Sequence, residues 1–309
     1  MAFGDSTPSS AAVVRDFADF GRHILPEPVD AEAAHALLAG IRKDRAFDSS
    51  LFLDEASFDA DPQYTGVNPR PGRNLLDRFG GRLGFLERSN MVMGALGALL
   101  GHDYEILNRK IVCGVPQSVI PAWVKARIGD DLVNNLGPYV RPEYRDVTYF
   151  YGIDFHQDLI DFKDRDADFV TLYCYLHPVT RADAPLYLLE GSHRLGATVF
   201  PHELRREAEG GWRYGDRRGA DVAVSQRILT GGTGFTAIWH ACTLHGTQPD
   251  DADYERISLR YLMARKPGAK AAIDDVNAAL QGPVRLPGTR VDLAADGSPA
   301  IKGNTVNKA

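Results

Sequence analysis

Between Tyr104 and Pro267 the sequence is a succession of short apolar segments that alternate in polarity and are rich in aromatic and β-branched residues. Each segment is bounded by Gly, Pro or Asp, which favour turns. Most of them are not separated by a helical pattern of useful length, which parallel strands would need as a crossover. The pattern therefore predicts an antiparallel sheet in a sandwich or jelly roll. The segments are YEILNRKIV, DVTYFYGIDFH, DFVTLYCYLH, APLYLLEGSH, TGFTAIWHACTLHG and RISLRYLMARKP.

The N-terminal part of the chain carries helical patterns instead. Asp30 stands at an N-cap position before AEAAHALLAGIRK, whose apolar residues fall on one stripe. A second helix is predicted to begin after Ser89 or Asn90 and to cover MVMGALGALLG. Residues 44–81 are rich in Asp, Pro, Gly and Arg and predict a long surface segment. The expected buried stripes are Ala34, Leu37, Leu38 and Ile41 in the first helix, and Met93, Leu96 and Leu100 in the second.

These patterns predict a mainly β fold with flanking helices, organised as one domain over residues 1–265. The helical part covers about 11–101 and the strand core about 102–265. Residues 201–227 are charged and glycine-rich, and we interpret them as an inserted, lid-like loop. Residues 266–309 form a C-terminal extension with a short helix expected in AAIDDVNAAL, followed by polar residues expected to be partly disordered.

The net charge and the hydropathy of the sequence limit the kinds of partner that we expect the protein to bind. The 35 basic and 41 acidic residues give a net charge of −6, which does not indicate a nucleic-acid-binding face. The longest nearly apolar run, 91–101, is about half of what a membrane-spanning helix needs. The N-terminus lacks the pattern of a secretory signal, so we expect a cytoplasmic protein. Cys113, Cys174 and Cys242 are widely spaced and are expected to be reduced, buried thiols.

The histidine that stands out is His156 in IDFHQDLIDF, because Asp158 follows two positions later. Alternate side chains of a strand point to the same side, so both residues can face one metal ion while Gln157 faces away. By itself an HxD pair is more typical of a surface histidine beside a carboxylate than of a metal site. A third ligand is required before the pair indicates a metal site.

His245 supplies that candidate, since it ends a later strand pattern just before a glycine in WHACTLHG. Two imidazoles and one carboxylate on one face of a metal leave three positions free for a bidentate cosubstrate and oxygen, as in non-haem Fe(II) oxygenases. A structural zinc site would instead need four ligands, usually with thiolates, and the cysteines are not placed to supply them.

Arg256 and Ser258 share one face of the next strand pattern, ERISLRY, and Arg256 comes eleven residues after His245. An arginine in an otherwise buried strand is costly unless it meets an anion, and its planar fork suits a carboxylate. This favours a dicarboxylate ligand. A salt bridge from Arg256 to one of the chain's own acidic residues is the alternative.

Taken together, FHQD, VTLY, LYLLEGSHRLG and HG with an arginine eleven positions on resemble the phytanoyl-CoA dioxygenase family of Fe(II)- and 2-oxoglutarate-dependent oxygenases. The resemblance covers roughly Ala11 to Arg265 and is clearer in the strands than in the helical part. It implies a double-stranded β-helix, that is, a cupin-like jelly roll. It also implies that His156, Asp158 and His245 bind Fe(II), and that Arg256 with Ser258 binds the distal carboxylate of 2-oxoglutarate.

Further residues take a role from the same resemblance. Tyr173 stands where family members often have a tryptophan near the cosubstrate, and Lys110 matches a lysine that reaches it, although a solvated strand lysine is an equal alternative. The family usually has PGSH where this chain has Glu190 before Gly191, which alters a turn and not the ligand set. His193 is expected to hold that turn by hydrogen bonding. His177 is expected to be a strand-end residue, and His240 to face away from His245.

The activity implied is a dioxygenase reaction that hydroxylates a C–H bond of a small or medium-sized organic molecule, with release of succinate and CO2. Asp158 favours this outcome over halogenation, because related halogenases have a small residue at that position. Desaturation, epoxidation and rearrangement stay open, as does the oligomeric state. The alternatives are a non-catalytic cupin-like protein that binds a metal and a carboxylate, and a zinc hydrolase that uses the same three ligands.

The substrate pocket is expected to be lined by residues of 44–81, 114–150 and 201–227. Aromatic residues from these segments are candidates for its apolar wall, although at least half of them are expected to be ordinary packing residues. Arginines in 201–227 can receive an anionic substrate, but intervening acids make a solvated loop the favoured interpretation. The aromatic candidates are Trp123, Tyr139, Tyr144, Tyr149, Tyr151 and Trp212, and the arginines are at 205, 206, 213, 217 and 218.

Overall fold

The computed structural model describes residues 9–61, 75–129, 135–162, 164–208 and 210–288. Within these ranges the chain forms two six-stranded sheets flanked by helices. The helices are α1 (Ser10–Phe20), α2 (Ala31–Asp44), α3 (Glu55–Ala60), α4 (Gly84–Glu87), α5 (Asn90–Leu100), α6 (Ala122–Ile128) and α7 (Ala272–Ala278). None of the helices in the described ranges is long and apolar enough to cross a membrane.

The first sheet has the order β1-β10-β5-β12-β2-β3, and all its pairings are antiparallel except β2 with β3. The second sheet has the order β4-β11-β6-β9-β8-β7, all antiparallel. This confirms the mainly β jelly roll with flanking helices. The strands are β1 (Arg22–Ile24), β2 (Glu105–Gly114), β3 (Thr148–Phe150), β4 (Ile153–His156), β5 (Phe169–Tyr175), β6 (Leu186–Glu190), β7 (Glu203–Arg206), β8 (Trp212–Gly215), β9 (Asp221–Leu229), β10 (Thr236–His240), β11 (His245–Thr247) and β12 (Arg256–Ala264).

Strand β5 shows how the helices and sheets share the core. All its residues are buried, because helices cover the outer face of the first sheet while the inner face looks toward the second sheet. Leu172 and Cys174 pack with the helical core, whereas Tyr173 and Tyr175 belong to the inner cluster. The alternation of the two clusters along one strand follows from the two-residue period of side-chain direction.

The helices predicted from the sequence are present, with one error on their buried faces. The side chain of Asp30 accepts a hydrogen bond from the Ala33 N–H and caps α2, whose four predicted core residues are all buried. In α5, capped by Ser89, Leu96 and Leu100 are buried, but Met93 is 45 % exposed. Val92, Ala95 and Leu99 share the buried side of this very apolar helix, so polarity alone did not distinguish its faces.

The interpretation of 201–227 as a loop was wrong. This segment contains β7 and β8 and most of β9, which extend the second sheet to its edge. Many side chains of β9 are exposed, so its polar composition resembled that of a loop. The 44–81 segment is not purely superficial either, since Leu51, Phe52, Leu75 and Leu76 are buried; its residues 62–74 lie outside the described ranges.

The C-terminal extension packs against the jelly roll as far as it is described. The expected short helix is α7, which contacts α5. Its Asn277 contacts His240 and donates a hydrogen bond to the Ala167 carbonyl. Beyond the helix, the Ala197 N–H donates to the Pro283 carbonyl. The tail predicted to be partly disordered lies mostly at 289–309, outside the described residues.

Candidate metal centre

Two antiparallel strands of the second sheet bring the histidines together. His156 is the last residue of β4, His245 is the first residue of β11, and the two are direct partners in the register. Their ring centroids lie 4.2 Å apart. With Asp158 they form a group whose possible ligand atoms all lie within 4.8 Å of one another, close enough to hold one metal ion.

Hydrogen bonds to the backbone fix the tautomer of both histidines. His156 Nδ1 lies 2.9 Å from the Asp154 carbonyl, and His245 Nδ1 lies 3.1 Å from the Thr243 carbonyl. A carbonyl only accepts, so each Nδ1 carries the proton and each Nε2 keeps its lone pair. Nitrogens oriented in this way are typical of metal-ligating histidines.

Asp158 reaches the site from a short 3-10 helix, Asp158–Asp161, and not from the strand that the HxD spacing predicted. Gln157 faces away, as expected, and anchors the turn. Its amide donates to the carbonyls of Gly196 and Cys242, each at 2.8 Å, and its oxygen accepts the Thr198 N–H at 3.0 Å. This anchoring places the Asp158 carboxylate opposite His245, with Oδ1 3.6 Å from Nε2.

Three donors that sequence reasoning missed hold the Asp158 carboxylate. Oδ2 accepts hydrogen bonds from the Thr171 hydroxyl and from the Trp239 indole, the latter at 3.2 Å. Oδ1, which faces His245, pairs with the Arg260 guanidinium. Alternation was the available signal: Arg260 is in phase with Arg256 and Ser258 on β12, and Thr171 is in phase with Tyr173 on β5.

The electrostatics of this group favour metal ligation. Burial alone would raise the pKa of Asp158, but the Arg260 guanidinium and the two imidazoles hold it well below the usual range. Burial lowers the pKa of His156, and it lowers that of His245 to about 3. At neutral pH the site therefore offers one carboxylate and two neutral imidazoles, the protonation states that bind a divalent metal.

Arg256 is fully buried on β12 and only partly satisfied. Its Nη1 donates to the Tyr173 hydroxyl at 2.6 Å and to Ser258 Oγ at 2.7 Å, while its Nε and Nη2 have no partner among the described residues. The ring of Phe150 lies 4.8 Å from the guanidinium carbon. No ion pair joins Arg256 to a described acid, which removes the salt-bridge alternative within that part of the chain. A buried cation with two free donors fits the carboxylate of a ligand.

The cavity beside the triad is lined largely by strands of both sheets. Tyr173 and Lys110 both line it, and Tyr173 joins it to Arg256. Lys110 is buried, and this desolvation lowers its pKa to about 7, so it is not the solvated strand lysine of the alternative. The other described lining residues are Val112, Thr148, Ile153, His156, Ile160, Asp161, Leu186, Trp239, His245, Gly246 and Arg260.

The predicted aromatic wall is absent from the described part of this cavity. Trp123 and Tyr139 pack with Phe58 among the helices, and Trp212 packs on Phe155. Of the three segments expected to supply the lining, only 114–150 does so within the described ranges, through Thr148. Tyr144, Tyr149 and Tyr151 likewise have other neighbours, namely Arg45 for the first two and Gln117 for the third. These aromatic residues serve packing, which periodicity cannot distinguish from pocket lining.

The turn after β6 is held by a different residue from the one that the sequence predicted. Ser192 fixes the turn, because its hydroxyl donates to the Leu189 carbonyl and accepts the Leu244 N–H. His193 instead reaches α1, with Nε2 3.3 Å from the Ala18 carbonyl. Glu190, at the position usually occupied by proline, binds Arg22 of β1 at 2.5 Å. The departure from the usual sequence therefore adds an ion pair between two strands.

His177, His240 and the three cysteines lie where they were expected. His177 follows β5, and its Nε2 accepts the Ile257 N–H. His240 faces away from the triad toward Asn277. Cys113, Cys174 and Cys242 are free and buried, and burial raises the pKa of Cys174 to about 12, which makes the thiol unreactive.

Comparisons with known proteins bear on the fold. No family model matches the sequence, and no curated protein matches it. Among solved structures, the non-haem α-ketoglutarate-dependent epimerase SnoN from nogalamycin biosynthesis is 14% identical, with a TM-score of 0.50 over 96% of both chains. The carbocyclase SnoK from the same biosynthesis is 13% identical (TM-score 0.48, 90% of this chain and 93% of that one). EctD from S. alaskensis is also 13% identical (TM-score 0.47, 93% and 91%). The likeness to SnoN supports the jelly-roll fold.

Proposed function

We propose that this protein is an Fe(II)- and 2-oxoglutarate-dependent oxygenase of the phytanoyl-CoA dioxygenase type. One observation carries the proposal: two neutral imidazoles and a carboxylate converge beside a cavity whose wall leads, through Tyr173, to a buried arginine with two unpaired donors. The ligand set is that of a facial Fe(II) triad with open positions. The arginine fits the far carboxylate of a dicarboxylate cosubstrate.

In this assignment His156, Asp158 and His245 hold the iron, and Arg256 with Ser258 binds the distal carboxylate of 2-oxoglutarate. When bound, iron and 2-oxoglutarate supply the oxidising power for attack on an unactivated C–H bond, with oxygen consumed and succinate and CO2 released. SnoN, a neighbour with this fold, is described as α-ketoglutarate-dependent. We assign hydroxylation of a small or medium-sized organic molecule as the outcome.

The protein's own contribution is positioning and charge. Thr171, Trp239 and Arg260 keep the Asp158 carboxylate ionised and oriented. Both histidines donate their Nδ1 protons to backbone carbonyls, which leaves each Nε2 lone pair available to a metal. Lys110 and Tyr173 face the same cavity and are assigned to the cosubstrate. Apolar residues such as Ile153 and Leu186 limit water near the reacting bond.

The test is iron-dependent formation of succinate from 2-oxoglutarate in air, assayed with purified protein and a panel of organic compounds. We expect succinate with Fe(II), none with Zn(II), and none in His245→Ala. Succinate formation that is independent of iron or survives in His245→Ala would contradict the proposal. A hydrolytic activity with Zn(II) that Arg256→Leu leaves unchanged would favour the zinc hydrolase, which has no need of Arg256.

A further inference from the structure

A second cavity, of about 250 Å³, lies between the segment that follows Gly196 and the turn between β8 and β9. Thr198 and His202 line it on one side, and Arg217 and Arg218 line it on the other. It shares no lining residue with the cavity of the metal centre. His202 is 6 % exposed, and its Nε2 has no partner among the described residues.

The hydrogen bonds around His202 determine which ring nitrogen carries the proton. The Gln157 amide nitrogen lies 3.4 Å from the Tyr214 hydroxyl but cannot accept a hydrogen bond, so the acceptor for the Tyr214 O–H among the described residues is its other partner, Thr198 Oγ1. The Thr198 hydroxyl in turn donates to His202 Nδ1 at 2.8 Å. Burial lowers the pKa of His202 to about 3, so the ring is neutral and holds one proton. That proton is on Nε2, as an unused donor that lines the cavity.

The two arginines at this cavity differ in whether they are already paired with an acidic residue. Arg218 lies 3.8 Å from the Asp216 carboxylate, which also accepts two backbone N–H groups. Arg217 forms no ion pair with the described residues and donates only to the Pro201 carbonyl, at 2.6 Å. The buried His202 N–H therefore requires an acceptor at this cavity, whereas Arg217 is exposed to solvent and contributes a positive charge. The acidic residue Glu203 also lines the cavity, but it is exposed to solvent.

The polar contacts that anchor the loop carrying Asp158 also reach this cavity. Gln157, between two of the assigned ligands, accepts the Thr198 N–H and lies beside the Tyr214 hydroxyl. The Gln157 side chain faces away from the triad, so these contacts join the cavity to the outer side of the loop that carries Asp158.

We propose that this cavity binds the anionic oxygen group, a carboxylate or a phosphate, of a small organic molecule, at a site separate from the cavity of the metal centre. His202 Nε2 donates to the group, and Arg217 balances its charge. This binding does not depend on the proposed function.

The proposal is tested on the full-length, metal-free protein by NMR of the histidine ring nitrogens. Acetate and inorganic phosphate are titrated separately, with chloride as the reference for ionic strength. We expect a saturable shift of the His202 Nε2–H signal with at least one of the two anions, and the tighter anion identifies the group. The same response to chloride as to both anions would overturn the proposal.

The chain supplies its own control signal. His193 is also buried and has an unpartnered nitrogen, Nδ1, but this nitrogen lies against Gly21, where even an added Cβ would come within 2.4 Å. Its signal is expected not to respond, because no ligand fits there. Parallel shifts of His193 and His202 would show a general effect of salt and contradict a specific site.

Variants of these residues test whether anion binding depends on the donor groups themselves or only on an intact fold. His202→Gln places an amide N–H near the position of Nε2 and should retain binding, whereas His202→Phe should abolish it. Arg217→Gln should weaken the anion by about 10- to 100-fold, in line with a lost charged hydrogen bond. Arg218→Gln is the matched control, since this arginine is already paired with Asp216. Equal affinity in the wild type and Arg217→Gln would overturn the assignment of Arg217.

Discussion

At the residue scale, the candidate site depends on the groups that hold each functional side chain as much as on the side chains themselves. Backbone carbonyls orient both histidines, and three donors fix Asp158. Arg256 differs, because two of its donors are left for a ligand. Buried polar groups are normally satisfied, so this exception indicates a function for Arg256.

Replacement of Arg256 should selectively impair the binding of 2-oxoglutarate. Arg256→Leu removes a bidentate charged contact, so we expect the Kd for 2-oxoglutarate to rise by about 100-fold or more, measured by calorimetry on Fe(II)-loaded protein under anaerobic conditions. Arg256→Lys keeps the charge but loses the planar fork of the guanidinium. Its Kd for 2-oxoglutarate should lie between those of the wild type and Arg256→Leu. Affinity for Fe(II) alone should stay near that of the wild type. An unchanged Kd for 2-oxoglutarate in Arg256→Leu would refute the assignment.

Loss of the Thr171 hydroxyl should weaken the metal site. Thr171→Val keeps the shape but removes a donor to Asp158 Oδ2, and changes of this kind commonly reduce metal affinity by about 10- to 100-fold. Competition with a chromophoric chelator measures the effect. Thr236→Val is the matched control, because its buried hydroxyl donates to the Gly234 carbonyl, away from the triad. Equal metal affinities in the two variants would contradict a role for Thr171 in holding Asp158.

At the element scale, the strands that carry the triad were predictable and their surroundings were not. Alternation located β4, β11 and β12, and the order of HxD, His245 and Arg256 indicated the candidate site residues. The backbone conformation at Asp158 was not predicted. This residue lies in a 3-10 helix, and the geometry of that helix depends on the long-range contacts of Gln157. The edge strands of 201–227 were missed because exposed strands and charged loops have similar compositions.

The C-terminal extension is expected to stabilise the jelly roll through α7. Asn277 joins His240 on β10, at 3.0 Å, to the Ala167 carbonyl, at 2.9 Å. Asn277→Ala leaves two buried polar groups unpaired, so we expect the free energy of unfolding to fall by about 1–3 kcal/mol in a urea titration. Asp275→Asn, an exposed change in the same helix, should have a much smaller effect. A loss equal in both variants would show that the bridge is unimportant.

At the scale of the whole molecule, two sheets with helices on one side bury many titratable groups in neutral form. Burial lowers the pKa of His193 to about 4 and those of His202 and His240 to about 3. These three histidines lie in different parts of the chain, and protonation of any one of them would destabilise the folded state. The sequence shows nine histidines but not which are buried, because burial depends on the assembled sheets.

Acid should therefore destabilise the protein well above the range in which carboxylates titrate. An unfolded histidine titrates near pH 6.5, above the folded values, so the unfolded state takes up more protons as the pH falls. The stability that these histidines contribute is fully present above about pH 6.5 and is lost progressively toward pH 4. Urea titrations between these values should show it, with a shallower slope in His240→Gln. A free energy of unfolding that is constant over this range would contradict the buried, neutral state.

The proposed function requires that the triad and Arg256 together hold iron and 2-oxoglutarate. Anaerobic addition of Fe(II) and then 2-oxoglutarate to the metal-free protein tests this, by recording the visible charge-transfer band of an iron-chelated 2-oxo acid. We expect a band that requires protein, Fe(II) and 2-oxoglutarate together and is lost in His245→Ala. A folded wild-type protein that gives no band, or a band of equal intensity in His245→Ala, would contradict it.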